Sequence, residues 1–208
     1  MYIKFKLFLK RLFYKKPIIW AILETLQGLK FALNYFYYYK LLKGEKGLSV
    51  REVNIEFASQ CNLRCHFCSL DHNKAKDLIT AEILEKFLNG FITDKRYGGI
   101  KRINLYNGGE VLLHPKRLEM LALIKKYKDL AKEKNMLFPE IHLLTNGMLL
   151  REKLAEDIIA LDVVDLLGVS FDGGTPEAFE EMRANSNWEI FYKNIKAFDK
   201  IRKEKKSK

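Results

Sequence analysis

Four times between residues 53 and 205, a short run of strand character gives way to a stretch whose apolar residues recur at helical spacing. Val53-Asn-Ile-Glu-Phe57 alternates apolar and polar residues, and 102–106, 141–144 and 163–169 follow it as strand candidates. The helical patterns cover 81–94 behind the cap residue Thr80, 116–134 behind Pro115, and 150–161. Thr175-Pro176-Glu177 combines a cap, a first-turn proline and an acid, and the last helical pattern runs over 188–205. Alternation of this kind implies parallel strands joined by right-handed crossovers, with functional groups gathered at the strand C-termini. The fold class expected is α/β, with a core over 51–208 and a basic, amphipathic helical extension over 1–50.

Each strand candidate ends in residues suited to a ligand. The first runs into Cys61-Asn-Leu-Arg-Cys65-His-Phe-Cys68, which holds every cysteine of the chain. The others end in Asn107-Gly108-Gly109-Glu110, Thr145-Asn146-Gly147 and Ser170-Phe171-Asp172-Gly173-Gly174. Three thiols cannot all pair as disulfides, and with no cleavable signal peptide evident the odd count points to a reducing compartment and to ligation or catalysis. Three thiolates on one tight loop suit an iron-sulfur cluster with one iron open to an outside ligand. Spacing alone leaves two other readings open: a zinc site completed by His66 or His72, and free thiols. Taken singly, the other motifs also have plain readings, since Gly-Gly, Asn-Gly and Asp-Gly punctuate turns everywhere. Arg183 reads equally as a solvated helix residue, and His114 and His142 read as packed structural residues. Joint occurrence at consecutive strand ends lowers those readings.

In this order, Cys61-x3-Cys65-x-Phe67-Cys68, Gly108-Gly109-Glu110, Thr145-Asn146-Gly147 and Ser170-x-Asp172-Gly173 resemble the radical S-adenosylmethionine (radical SAM) superfamily, most closely its SPASM-associated branch. The resemblance covers roughly 51–200 and implies a partial (β/α) barrel of the radical SAM type. It implies that Cys61, Cys65 and Cys68 bind three irons of a [4Fe-4S] cluster, with S-adenosylmethionine chelating the fourth. Phe67 would lie near the adenine, and Gly108, Gly109 and Glu110 would contact the methionine amino end. Thr145 and Ser170 match hydroxyl positions that hydrogen-bond the cofactor, with Asn146 and Asp172 beside them as further contacts. Arg183 matches an arginine that pairs with the methionine carboxylate. The implied activity is reductive cleavage of S-adenosylmethionine to a 5'-deoxyadenosyl radical that abstracts hydrogen from a peptide, sugar or lipid-linked substrate, with an electron donor such as flavodoxin or ferredoxin. The resemblance also implies six strands where only four are legible, and no cysteine follows Cys68. The chain therefore reads as shortened after about four β-α units. The alternative is a partner-dependent or non-catalytic metal-binding module.

Of the net charge of +11, residues 1–50 contribute +8 and residues 193–208 contribute +6, leaving −3 between them. The excess belongs to the termini, so a nucleic-acid partner is not expected. Lys4, Lys6, Lys10, Arg11, Lys15 and Lys16 are interleaved with aromatic and aliphatic residues, and no acid precedes Glu24. Residues 1–43 thus read as a contact for an anionic membrane surface or for a partner chain, which fits a cytoplasmic protein peripheral on the inner membrane face. Glu24, Gln27, Lys30 and Asn34 interrupt the apolar pattern after Pro17, which argues against a spanning segment.

Overall fold

The computed structural model describes residues 17–37 and 50–205 and divides the chain into two units, Met1–Ser49 and Val50–Lys208. The basic residues 4–16 and the end of the tail lie outside the described residues. In the first unit, Pro17 opens helix α1 (Pro17–Phe36), as its fixed φ and missing N–H suit the first turn. Ile22, Leu26, Leu29, Phe31 and Leu33 of α1 are exposed. Among the described residues, no helix is long and apolar enough to cross a membrane.

The second unit runs β1 (Glu52–Asn54), β2 (Arg64–Cys65), α2 (Ala81–Thr93), β3 (Arg102–Asn104), α3 (Arg117–Glu133), β4 (Glu140–Thr145), α4 (Glu152–Leu161), β5 (Leu166–Val169), α5 (Pro176–Met182), β6 (Arg183–Ala184) and α6 (Trp188–Glu204). Strands β1, β3, β4 and β5 form one parallel sheet in that order, and the sheet is not closed on itself. Val53 pairs with Ile103, Ile103 with Ile141, and Leu143 with Leu167. Since side chains alternate along a strand, this register puts Ile103, Leu105, Ile141 and Leu143 on one face. There they are fully buried in one core with Leu84 and Leu88 of α2, Leu121 and Ile124 of α3, and Ala155 and Ile158 of α4. Each such large apolar side chain contributes about 1.5–3 kcal/mol by leaving water. On the opposite face Asn54, Asn104 and His142 stand in one row that Leu166 continues, and the Asn104 amide donates to Asn54 at 2.9 Å.

The helix starts follow their caps. Thr80 Oγ1 accepts from the Ile83 amide at 3.3 Å, and Thr175 Oγ1 from the Ala178 amide at 3.2 Å. Asn187 does the same for Ile190 at 2.9 Å. Three strands are shorter than their patterns, while β4 extends one residue beyond 141–144 at each end. Past Ile55 the chain leaves the ladder, because Phe57 and Ser59 bond instead to Ile79 and Asp77. Val163 is buried but precedes β5, which starts only at Leu166, after a left-handed Asp162 ends α4. The antiparallel pair β2–β6 has two residues per strand, too few for any pattern to announce. His114 packs edge-on against Phe57, accepts the Lys116 amide at Nδ1 (3.1 Å), and so donates from Nε2 to the Ile79 carbonyl (3.0 Å). It is a satisfied core histidine, as its sequence context indicates.

Candidate functional site

The cysteine loop leaves β1 and is held from three sides. The Glu110 amide donates to the Gln60 carbonyl at 2.8 Å, the β2–β6 ladder pairs Cys65 with Arg183, and the His66 amide donates to the Met182 carbonyl at 3.1 Å. Cys61 and Cys65 are half-buried and Cys68 is exposed. Two of the thiols face N–H donors from later strand ends. Asn146 Nδ2 lies 3.7 Å from Cys61 Sγ, and Arg183 Nη1 lies 3.8 Å from Cys65 Sγ. The Leu63 amide adds a third donor, 3.4 Å from Cys61 Sγ. Burial pushes both thiols above their ordinary acidity range; the Leu63 amide partly offsets this at Cys61, and the Arg183 cation does so at Cys65. A metal held by these thiols would have to displace their protons, and the N–H donors would stabilise the resulting anionic sulfurs.

The Gly108-Gly109-Glu110 turn is pressed onto the exit of β1. Glu56 Oε1 accepts from the Gly108 and Gly109 amides at 2.8 and 2.9 Å. A Cβ on Gly109 would overlap the Ala58 carbonyl oxygen and come within 2.8 Å of the Gln60 carbonyl oxygen, so only glycine lets the two backbones meet. Glu110 points inward and is only 3% exposed. Its Oε1 accepts from Thr145 Oγ1 (2.7 Å) and the Leu112 amide (3.0 Å), and its Oε2 from the Asn146 amide (2.8 Å). The Thr145 hydroxyl, also buried, accepts in turn from the Gly147 amide at 3.2 Å. Glu110 and Thr145, which the family resemblance implies as cofactor contacts, tie the second strand end to the third. A buried carboxylate needs such donors, and the neighbouring strand end supplies them.

Asn146 bridges from that strand end to the cysteine loop, also donating to Asn62 at 2.9 Å and accepting from the Met148 amide at 3.0 Å. The Ser170 amide donates to the Thr145 carbonyl at 2.8 Å, which carries the hydrogen bonding on past β5, while Gly173 takes a positive φ of 87° as the chain turns toward α5. Arg183 is not a solvated helix residue. It is 8% exposed, pairs with Asp172, and stands over the exposed Phe67 ring at 5.4 Å. The motifs on all four strand ends thus meet around the cysteine loop.

Three contributors are not among the residues that the motifs single out. Glu56 is a polar position of an alternating strand, indistinguishable by pattern from a solvated one. Asn62 lies between two cysteines with no signal of its own. Asn194 interrupts the apolar stripe of α6, which is a legible signal; it is buried and donates to the Gly147 and Met148 carbonyls at 2.9 and 3.1 Å. Among the described residues, no three His, Cys, Asp or Glu side chains gather as ligands of a single ion. His66 is exposed and His72 half-buried. A cluster needs a different arrangement, in which each thiolate binds its own iron and one iron stays open.

Burial raises the Glu110 pKa, with the Asn146, Thr145 and Leu112 donors opposing the rise. The native state then holds the proton more readily than the unfolded chain. The stability this provides is present below the unfolded carboxyl pKa and is lost as pH rises through the folded value. Glu110→Gln presents an amide donor to groups that are themselves donors. It is expected to destabilise the fold by about 1–3 kcal/mol at neutral pH and to flatten this pH dependence, as read by urea melts from pH 4 to 8.

A family model described as the radical SAM superfamily matches residues 55–206. A probable GTP 3',8-cyclase of Methanococcus aeolicus is 30% identical over 151 residues, covering 70% of this chain and 45% of that protein. The antilisterial bacteriocin subtilosin biosynthesis protein AlbA of Bacillus subtilis is 27% identical over 135 residues, covering 62% of this chain and 25% of AlbA. Among solved structures, Streptococcus suis SuiB bound to the precursor peptide SuiA has a TM-score of 0.60 at 16% identity, over 92% of this chain and 44% of that one. Native anSMEcpe with bound AdoMet has a TM-score of 0.59 at 21% identity, over 73% of this chain and 41% of that one. The fold is shared with both, a partial barrel of the TIM type whose sheet is open here. The chain spans about half the length of the first curated relatives it matches. The family's cofactors are a [4Fe-4S] cluster and S-adenosylmethionine. With the cysteine loop and all three later strand-end motifs inside the matched span, the chain belongs to the radical SAM superfamily.

Proposed function

We propose that this chain forms the cofactor-binding part of an enzyme that cleaves S-adenosylmethionine and abstracts hydrogen from a peptide. The observation that carries the reading is the convergence of Asn146 and Arg183 on the thiols of Cys61 and Cys65. Cys61, Cys65 and Cys68 would hold three irons of the cluster and leave the fourth to the amino and carboxylate groups of the cofactor. When bound and reduced by a flavodoxin- or ferredoxin-like donor, such a cluster would supply the electron for splitting the sulfonium into methionine and a 5'-deoxyadenosyl radical. Arg183 keeps one buried donor, Nε, without a protein partner, which suits it to the cofactor carboxylate. Phe67 offers an exposed ring beside the loop for the adenine. A peptide is favoured by the names of two similar proteins, a bacteriocin biosynthesis protein and an enzyme solved with its precursor peptide. The polar row of Asn54, Asn104 and His142 suits a substrate rich in amides.

Anaerobically reconstituted protein, reduced with dithionite in the presence of S-adenosylmethionine, is expected to form 5'-deoxyadenosine, measured by chromatography. An iron-loaded protein that forms none would put the radical step in need of a partner that extends the open sheet. A protein that takes up no iron would overturn the reading.

A further inference from the structure

Arg183 meets the cysteine loop through backbone and side chain together. Its main chain pairs with that of Cys65 in the β2–β6 ladder, so side chain and thiol are held in fixed register. Its guanidinium is buried, places Nη1 3.8 Å from Cys65 Sγ, and is fixed in orientation by the ion pair between Nη2 and Asp172. The three cysteines are treated unequally. Cys61 receives a neutral amide from Asn146, Cys65 receives a cation, and exposed Cys68 has a backbone bond only through its own amide, to the Cys65 carbonyl.

We propose that the Arg183–Asp172 pair positions a donor and a positive charge against one thiolate of the iron-sulfur centre and so raises its reduction potential, a role distinct from holding the cofactor carboxylate. The inference rests on the cluster reading above. One-electron reduction adds a negative charge to the centre, and hydrogen bonds and net charge around the sulfurs set how readily that charge is accepted. A guanidinium that is buried is weakly screened by salt, so its influence persists at ordinary ionic strength. Asp172 acts in two ways that can be separated. Its oxygen orients the guanidinium, while its charge partly cancels that of Arg183.

The test is an EPR-monitored redox titration of the reconstituted full chain with neither S-adenosylmethionine nor substrate present, which removes any contribution from the carboxylate role. Arg183→Gln is expected to lower the midpoint potential. Arg183→Lys, which keeps the charge but loses the planar fork, should fall between that value and wild type. Asp172→Asn keeps an oxygen to orient the guanidinium and removes the opposing charge, so its midpoint should lie above wild type. If Arg183→Gln fails to hold iron, the other two variants carry the test. Unchanged midpoints in Arg183→Lys and Asp172→Asn, at full iron content, would overturn the proposal and leave the enzyme reading standing. Wild-type protein without a cluster would overturn both.

Discussion

Replacing Cys65 with alanine will reduce the iron retained after anaerobic reconstitution from about four atoms per chain to near zero. Cys65 is the middle thiol of the loop, the one paired through its backbone with Arg183 and through its sulfur with the guanidinium. Its loss removes one of the three proposed ligands and also leaves the buried cation facing no thiol, although Asp172 still neutralises it. The fold itself should survive, because Cys65 is only half-buried and belongs to no part of the apolar core. Circular dichroism and the melting temperature of the apoprotein are therefore expected to stay near wild type while iron, sulfide and the brown absorbance disappear. His66→Ala and His72→Ala should keep their iron, since neither histidine is placed as a ligand with the thiols. Iron lost in a histidine variant but retained in Cys65→Ala would point to a different metal site altogether.

What the sequence made legible follows from the length and periodicity of each element. Helices α2, α3, α4 and α6 run 13, 17, 10 and 17 residues, long enough for apolar spacing and caps to place them within a residue or two. Three of the four strand patterns overrun the observed strands, because alternation continues past the point where the backbone changes partners, while 141–144 falls one residue short of β4 at each end. Phe57 illustrates this: it continues the alternation of β1, but its carbonyl accepts from the Ile79 amide. Motifs at the strand ends were legible as a set, yet their internal division of labour was not. Nothing in Gly-Gly-Glu or Thr-Asn-Gly says that Glu110 and Thr145 face each other, since that depends on the register between β3 and β4. Glu56, whose carboxylate holds the Gly108 and Gly109 amides, was invisible for the same reason. For Arg183, the solvated-helix alternative that the sequence leaves open is ruled out by its burial and its place in a two-residue ladder.

Gly109→Ala will destabilise the fold by about 3 kcal/mol or more, near the upper end of what single substitutions do. The added methyl would overlap the Ala58 carbonyl oxygen and lie 2.8 Å from the Ala58 carbonyl carbon and the Gln60 carbonyl oxygen. All three obstacles are backbone, so no side-chain rotation relieves them and one of the two loops must move. Movement is opposed on both sides. The Glu110 amide is bonded to Gln60, and the Glu110 carboxylate to Thr145, Asn146 and Leu112. Gly108→Ala sets the scale for a milder change. Its Cβ would meet the Leu70 side-chain tip at 3.2 Å and the Glu56 carboxylate at 3.3 Å, both of which can give way, so a cost of about 1 kcal/mol is expected. Gly174, with nothing within 4 Å, is the control and should tolerate alanine almost freely. Urea denaturation of the three variants measures the series, and equal midpoints for Gly108→Ala and Gly109→Ala would disprove the close approach of the two backbones. Iron content should follow the same order, because a shift between these loops moves Cys61 relative to Asn146. The second glycine of the motif thus serves the cluster at one remove, by letting the second strand end lie directly on the loop that carries the thiols.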